Sequence, residues 1–585
     1  MTGGPRSLEP SARLPERGRR YAPVMPLVRP RDGARPLEAG THRPRSAVAR
    51  AVGHEAVGAL LALALAVVAL RHVLATERVA LLWYDGDSVL LPLVARSIAL
   101  GQPFEWAMSP ALFFFPELPV YLAVSAVTAT PQQALALNGV LVLLAVYALV
   151  RAAANELMVA AARPARIAVS VLAVVLVTML VLTESSATAT SLELASLLLT
   201  TTYYYGAVLA MLATAVLVLR TVRTGRASLP VLGTIGVVAA LSTGSNPLYV
   251  PWSAGPVVVT LALLVVARRV PWRPAGLVAG ALTVGAVVGY LVRIPLRPFV
   301  SLDPSTYVHP DRAGTTAAFF AALTDDRAAS ASGDAGLLLM LLGVLLSAGG
   351  TVWAWRTRSS RAVLLATALP LVTIVAVSVG VVVAGSETPR YLEPVVTMPL
   401  LALVAVCELA RTAVRQTRLY RPTRTLRTLS AVGAALVLVA GVAVTPGTVR
   451  SVVDARYGPV ACLDRWVDAH RTADRDPVGV GQFWTIRPLA AYADQDVRLL
   501  QVRETFDTYP WLVDLGSYRD ARPDYVVVGS GDVWTTPVED SLGPPATITH
   551  CDGYDVHDYA GTRGAEVLQR TVVGSAERIL HERGF

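Results

Sequence analysis

Long apolar runs and short polar stretches alternate along most of this chain. Runs of roughly 18–22 apolar residues, the length that crosses hydrocarbon as a helix, recur from residue 53 to residue 449. They predict helices over about 54–74, 132–150, 167–184 and 203–219, and one on each side of "STGSNPLYVPW". Further helices are predicted over about 275–292, before "RTRSSR", and over 362–384, 392–410 and 428–447, which makes eleven. The segment "PELPVYLAVSAVTA" (116–129) is apolar but short, and a span there would invert every later loop. It reads as an interfacial or re-entrant piece.

The polar stretches sort by charge. Every second one is short and dense in arginine: "RAAANELMVAAARPAR", "RTVRTGR", Arg268–Arg269, "RTRSSR" and "RTAVRQTRLYRPTRTLR", the last with six arginines in 17 residues. The intervening loops hold acids, aromatics and proline. The positive-inside rule then places the N-terminus in the cytoplasm and loops 75–130 and 293–334 outside, together with residues 450–585. Residues 1–52 are rich in Arg, Pro and Gly without periodicity and are expected to form a disordered cytoplasmic tail. They hold neither the early apolar core nor the small-residue cleavage site of a signal peptide, so the first apolar run is expected to remain as a membrane helix.

Composition agrees. The 585 residues are 54% hydrophobic and 16% charged, with mean hydropathy +0.52, whereas soluble domains carry about 25% charged residues. The net charge of +9 comes from arginine alone, since lysine is absent. Because those arginines crowd between apolar runs, the charge is a topology signal and gives no reason to expect a nucleic-acid partner. The expected location is the cell (plasma) membrane, crossed many times.

From about residue 450 the pattern becomes that of a small α/β layer. "ACLDRWVDAH" and "IRPLAAYA" read as helices, "VGVGQFW", "VRLLQV" and "DYVVVGSG" as strands, and "ATITHCDGYDVHDYAG" as a final β element. Cys462 and Cys551 are the only cysteines of this region, and an oxidising exterior permits a bridge between them. Cys407 falls in a predicted helix and reads as an apolar filler.

Candidate chemistry begins at "WYDGDSVLLPLVARSIALGQ", where Asp85 and Asp87 flank Gly86 close to the first apolar run. The plain reading is a turn in which Asp87 or Ser88 caps the following helix. The functional reading is a general base, or a ligand of a divalent metal ion, beside a lipid-borne substrate, because ionisable groups at membrane depth are functional candidates. "TTTYYYG" puts Tyr203, Tyr204 and Tyr205 at an outer interface, as an aromatic belt or a sugar-stacking face. Loop 293–334 offers Arg293, Arg297, Asp303, His309 and Asp311 as polar groups that could border a pocket. No Walker-type glycine loop, His/Cys metal cluster or serine nucleophile elbow is found.

Asp87–Arg96, then Gly101, then "PELPVY" (116–121), resembles the first external loop of the multi-spanning GT-C glycosyltransferases, the class of protein O-mannosyltransferases and lipid A aminoarabinose transferases. That loop opens on an Asp-Glu pair followed by Ala-Arg eight and nine residues on. The resemblance makes Asp87 the catalytic aspartate, with Ser88 standing where the family has Glu. "TPRYLEPVVTMPLLALVAV" (388–406) resembles the Arg-Tyr-Leu-x-Pro start of a late helix in the same enzymes. It implies that Arg390, with Arg297 and Arg96 as further candidates, holds a lipid phosphate through charge-assisted hydrogen bonds. The class often takes a second acid from the next external loop, where Glu184 and Glu193 stand. The resemblance thus implies a polytopic helical membrane protein of about eleven spans with a small external α/β domain. Its partners would be membrane lipids and a polyprenyl-phosphate sugar, from which it glycosylates an envelope acceptor. The rival readings are a flippase or transporter of lipid-linked glycans, and a non-catalytic envelope scaffold of the same fold. A transporter should carry internal repeats or charges at helix centres, and these spans are almost free of both.

Overall fold

The computed structural model describes residues 45–301, 307–416, 453, 455–473, 476–494 and 497–585. The chain divides into two compact units, Met1–Ala49, of which only the opening of the first helix is described, and Arg50–Phe585, to which everything below belongs.

The helices run α1 (Arg45–Leu74), α2 (Arg78–Trp83), α3 (Leu90–Ala99), α4 (Glu117–Ser125), α5 (Pro131–Leu157), α6 (Arg163–Val181), α7 (Tyr205–Thr224) and α8 (Leu229–Ser245). They continue as α9 (Gly255–Val266), α10 (Trp272–Arg293), α11 (Ala313–Ala328), α12 (Ala331–Arg356), α13 (Arg361–Val383), α14 (Glu393–Thr397) and α15 (Pro399–Gln416). Among the described residues eight helices are long and apolar enough to cross a membrane: α1, α5, α6, α7, α10, α12, α13 and the stretch Pro389–Arg415 that contains α14 and α15. Local chemistry sets their ends. Thr130 caps α5 by accepting the Gln133 N–H at 3.2 Å, with Pro131 at the first helical position. Gly225 closes α7 in the left-handed conformation, φ 66°.

The pair expected around "STGSNPLYVPW" is shorter than the other spans: α8 has 17 residues, and a π-turn at Val250–Ala254 runs into the 12 residues of α9. α8 packs against α10 at backbone contact, where a Cβ on Gly285 would fall 2.4 Å from the Gly236 carbonyl oxygen. Segment 116–129 holds the nine-residue α4, which is not among the spans. The helix expected over 428–447 lies outside the described residues. α10 and α12 leave large apolar side chains uncovered, among them Leu277, Val284, Leu338 and Leu345, a surface that suits a lipid environment and not water.

The C-terminal layer contains β2 (Val478–Gln482), β3 (Arg498–Val502), β5 (Pro523–Gly529), β6 (Thr547–Cys551) and β7 (Tyr554–Asp558), in the order β3-β2-β5-β7-β6. β2 is parallel to β3 and β5, while β7 is antiparallel to β5 and β6. Helices α16 (Val460–His470) and α17 (Phe483–Tyr492) cover one face. The short α18 (Val538–Leu542), α19 (Arg563–Leu568) and α20 (Gly574–Arg583) cover the other. The central strand shows the alternation directly: Tyr525 and Val527 face α16 and α17, and Val526 faces α19 and α20. The Asp552–Gly553 turn joins β6 to β7 with φ 83° at Gly553, the backbone that favours glycine in a two-residue hairpin. Cys462 of α16 and Cys551 of β6 are joined by a disulfide, and Cys407 is free and half-buried in α15. One sequence expectation changes: the strand "VGVGQFW" ends at Gln482 and Phe483 opens a helix. Beyond the last β element, α19 and α20 are joined by a π-turn at Gln569–Val573.

This layer is fastened to the first long loop. A two-stranded antiparallel piece pairs β1 (Trp106–Ala107) with β4 (Val513–Asp514), and Tyr492 Oη donates to the Trp83 carbonyl at 2.7 Å. Arg487 Nε donates to the Gly86 carbonyl at 2.8 Å. Those ties fix the loop that carries Asp85 and Asp87.

Candidate active site

The turn after α2 is built from its own backbone. The Asp85 carboxylate accepts the Asp87 N–H at 2.9 Å, and the Asp85 carbonyl accepts the N–H groups of Ser88 and Val89. Gly86 is dictated by space, since a Cβ there would lie 2.5 Å from the Phe483 ring. Ser88 is buried and turns inward, donating to the Leu81 carbonyl at 2.7 Å, and its own carbonyl accepts the Thr201 hydroxyl. Ser88 is therefore spent on holding the loop. Neither Asp87 nor Ser88 caps α3, whose N-cap is Val89 with no side-chain bond. The capping explanation for Asp87 fails.

Asp87 instead points at Arg390. Arg390 sits on the turn Pro389–Leu392 that leads into the last described membrane stretch, and its Nη1 lies 3.6 Å from Asp87 Oδ2. Its guanidinium carbon stands 5.3 Å from the Tyr203 ring and 5.9 Å from the Tyr204 ring, cation–π distances. Tyr204 adopts φ 69°, a left-handed conformation strained for an aromatic residue. It is wedged there by Phe113, stacked at 6.1 Å, and by Trp252 and Tyr391, each at 6.0 Å. The three tyrosines are buried and form packing, not an interfacial belt.

Asp87 and Arg390 share a cavity of about 380 Å³. Tyr204, Trp252, Tyr307 and Trp511 supply its aromatic wall, and Val377, Gly380 and Val381 of α13 an apolar one. Arg390 is the one cation on the wall among the described residues. Asp85 lies behind Asp87; burial, reinforced by the Asp87 charge, pushes its carboxyl up to about 7. Tyr307 is pushed up to about 12, first by burial.

The other sequence candidates go elsewhere. Glu184 is buried and accepts the backbone N–H groups of Ala195 and Ser196 at 2.8 and 2.7 Å, with burial raising its carboxyl. Glu193 accepts the Ser186 N–H and pairs with Arg327 at 3.2 Å and Arg78 at 3.6 Å. Both hold the loop between α6 and α7 in place, and neither lines the cavity. Arg96 gives its Nη1 to the Ala490 carbonyl at 2.7 Å and its Nη2 to that of Asp494 at 2.8 Å, which clamps the end of α17 to α3. Arg297 is exposed and off the cavity wall. Arg293 holds the Gly244 and Pro110 carbonyls. His309 donates its backbone N–H to the Ala384 carbonyl, Asp311 is exposed, and Asp303 lies outside the described residues. A divalent metal does not fit at Asp87: its neighbour is a cation, and no three His, Cys, Asp or Glu side chains converge among the described residues.

The sequence reading missed Trp252, Tyr307 and Trp511 as cavity residues, and Asp85 as a titrating neighbour. Trp511 had a visible sign, an aromatic "TYPW" cluster outside any periodic element.

No family model matches the sequence, and no curated protein matches it. Among solved structures, ArnT from Cupriavidus metallidurans bound to undecaprenyl phosphate is similar, with TM-score 0.51 and 14% identity over 88% of this chain and 99% of that one. The apo form of the same protein aligns at TM-score 0.49 and 14% identity, over 89% and 99% of the two chains. The apo Archaeoglobus fulgidus oligosaccharyltransferase aligns at 0.29 and 14% identity, over 84% and 70%. The first likeness establishes the fold: a polytopic helical body with a small C-terminal sheet domain, shared with that ArnT structure.

Proposed function

We propose that this chain, built on the fold of a GT-C glycosyltransferase, moves a sugar from a polyprenyl-phosphate donor to an envelope acceptor on the external face of the membrane. The observation that carries the reading is the cavity where Asp87 and Arg390 meet among aromatic rings, between α13 and the start of Pro389–Arg415. The apolar α13 wall suits a prenyl chain. Arg390 suits the phosphate, because a planar guanidinium binds phosphate oxygens through charge-assisted hydrogen bonds. Tyr204, Trp252 and Trp511 offer faces to a sugar ring. The ArnT structure with undecaprenyl phosphate supports a carrier of that chemical class.

In the transfer step Asp87 takes the proton of the acceptor hydroxyl while that oxygen bonds to the anomeric carbon. The bond from the anomeric carbon to the phosphate oxygen breaks, and the polyprenyl phosphate leaves with the electron pair. Arg390 holds the anion that forms. The arginine-rich loops at the opposite helix ends support an external position for the cavity.

The test is complementation of a deletion strain with Asp87→Asn and Arg390→Gln, reading envelope glycans and glycolipids by mass spectrometry. Wild type restores the missing species and both variants fail. An Asp87→Asn strain with the wild-type profile would sink the catalytic assignment.

A further inference from the structure

The carboxyl ends of the parallel strands β2 and β3 open into a second hollow of about 260 Å³ that the transfer step above does not use. Gln482, Phe483, Trp484, Arg503, Glu504 and Tyr509 line it. In open α/β sheets ligands settle outside this edge. The turn from β2 into α17 is Gln482–Phe483, two large residues where a phosphate-cradling turn needs glycine, so the edge is not shaped for a nucleotide.

Its side chains suit a polyhydroxylated ring. Trp484 leaves 61% of its surface exposed, although it stands edge-on to Phe483 at 4.6 Å and 90° and is thereby held in place. The Arg503 guanidinium lies 5.1 Å over the Tyr509 ring, with Glu504 beside it in sequence. An indole face stacks on the C–H face of a pyranose, and a fork of donors next to a carboxylate satisfies vicinal hydroxyls. A lipid tail would meet two charged residues, and an anion would meet Glu504.

One wall of the hollow, Phe483, packs on the turn that carries Asp87. Phe483 is the ring that excludes a side chain at position 86, next to Asp87. Tyr509 packs on Phe483 at 6.0 Å. Trp511, two residues on, lines the main cavity. We propose that this hollow is the subsite for a glycan acceptor, with Trp484 as its stacking platform and Arg503 and Glu504 as hydroxyl partners, aiming the acceptor at Asp87. The proposal rests on the glycosyltransferase reading and adds the acceptor's class.

The test uses the full chain in lipid nanodiscs, titrated calorimetrically with maltotriose, mannotriose and arabinotriose, and in parallel with undecaprenyl phosphate. At least one trisaccharide binds saturably, and Trp484→Ala and Arg503→Gln each weaken it about tenfold, the loss typical of an anchoring side chain. Both variants keep wild-type melting temperatures and wild-type undecaprenyl phosphate binding. If no trisaccharide binds, or Trp484→Ala binds like wild type, the acceptor subsite is wrong, and intact lipid-phosphate binding leaves the donor reading standing. If trisaccharide binds and undecaprenyl phosphate does not, the donor reading falls and the glycan site stands.

Discussion

Arg390 Nη1 lies 3.6 Å from Asp87 Oδ2, yet Arg390 Nε and Asp87 Oδ1 are both buried without a hydrogen-bond partner among the described residues. Buried polar atoms are normally satisfied, so a charge pair with one donor and one acceptor unmet has the form of a site completed by substrate. The two residues then act on a phosphate with opposite sign. Arg390→Gln removes the attraction and weakens undecaprenyl phosphate binding about tenfold or more. Asp87→Asn removes a competing anion, so binding is kept or tightened while transfer is lost. Native mass spectrometry of the two variants reads the contrast; equal weakening by both would show that they serve only the fold.

The pH dependence follows from Asp85. Its carboxyl ionises at about 7 in the folded chain, against 3.8 ordinarily, because burial and the Asp87 charge oppose ionisation. Between those values the folded state holds a proton that the unfolded state has released. Stability attributable to this group is therefore highest below pH 3.8, falls as pH rises, and levels off above about 7. Binding shifts in the same direction. Ionised Asp85 adds negative charge near Arg390, so the affinity for undecaprenyl phosphate declines as pH passes through about 7. Asp85→Asn flattens that step in a titration of binding against pH. A step that persists unchanged in the variant assigns it to another group.

Glu193 separates a structural acid from a reacting one. Its carboxylate neutralises Arg327 and Arg78 in a buried network. Removing one member of such a network leaves uncompensated charge, at a cost of about 3–5 kcal/mol. Glu193→Gln should lower the melting temperature in detergent and the yield of folded protein, while the molecules that do fold keep turnover. A general acid would behave the other way, with lost turnover at an unchanged melting temperature.

Gly86→Ala tests the fit between the loop and the sheet layer. The added methyl would sit 2.5 Å from the Phe483 ring, which is itself pinned by packing. Overpacking of this kind typically costs about 1–3 kcal/mol, and here the strain falls on the residue between Asp85 and Asp87. The variant is expected to melt lower and to lose transfer. Pairing it with Phe483→Leu makes room for the methyl and should restore the melting temperature in part.

The helical body was legible because hydrocarbon imposes one length and one polarity on anything that crosses it. That is why ten of the eleven runs have counterparts and why 116–129 read correctly as something less than a span. The short α8 and α9 were less legible, since periodicity does not register a π-turn. In the site, Asp87 and Arg390 stood out as charges at the edges of apolar runs. Tyr203–Tyr205 misled for a related reason: aromatics at a helix end read as an interfacial belt, and only the packing of Phe113, Trp252 and Tyr391 around Tyr204 shows them to be interior. Glu184, Glu193 and Arg96 could not be sorted from sequence, because their partners are mostly backbone atoms that tertiary contact supplies.

Orientation supplies the last prediction. Arg163 opens α6 after the α5–α6 turn, and the α7–α8, α9–α10 and α12–α13 connections carry Arg226, Arg269 and Arg358 among others. Asp87 precedes α3, and Arg390 opens the last described membrane stretch, so alternation puts the cavity at the opposite helix ends. The positive-inside rule predicts cytoplasmic arginine ends and an external sheet layer. The bridge between Cys462 and Cys551 provides the probe. In a Cys407→Ser background, mild reduction of intact cells followed by a membrane-impermeant maleimide should label both sheet-domain cysteines, while unreduced cells stay unlabelled. Labelling that requires permeabilised membranes would invert the topology, place the Asp87 cavity on the cytoplasmic side, and exclude transfer to an external acceptor.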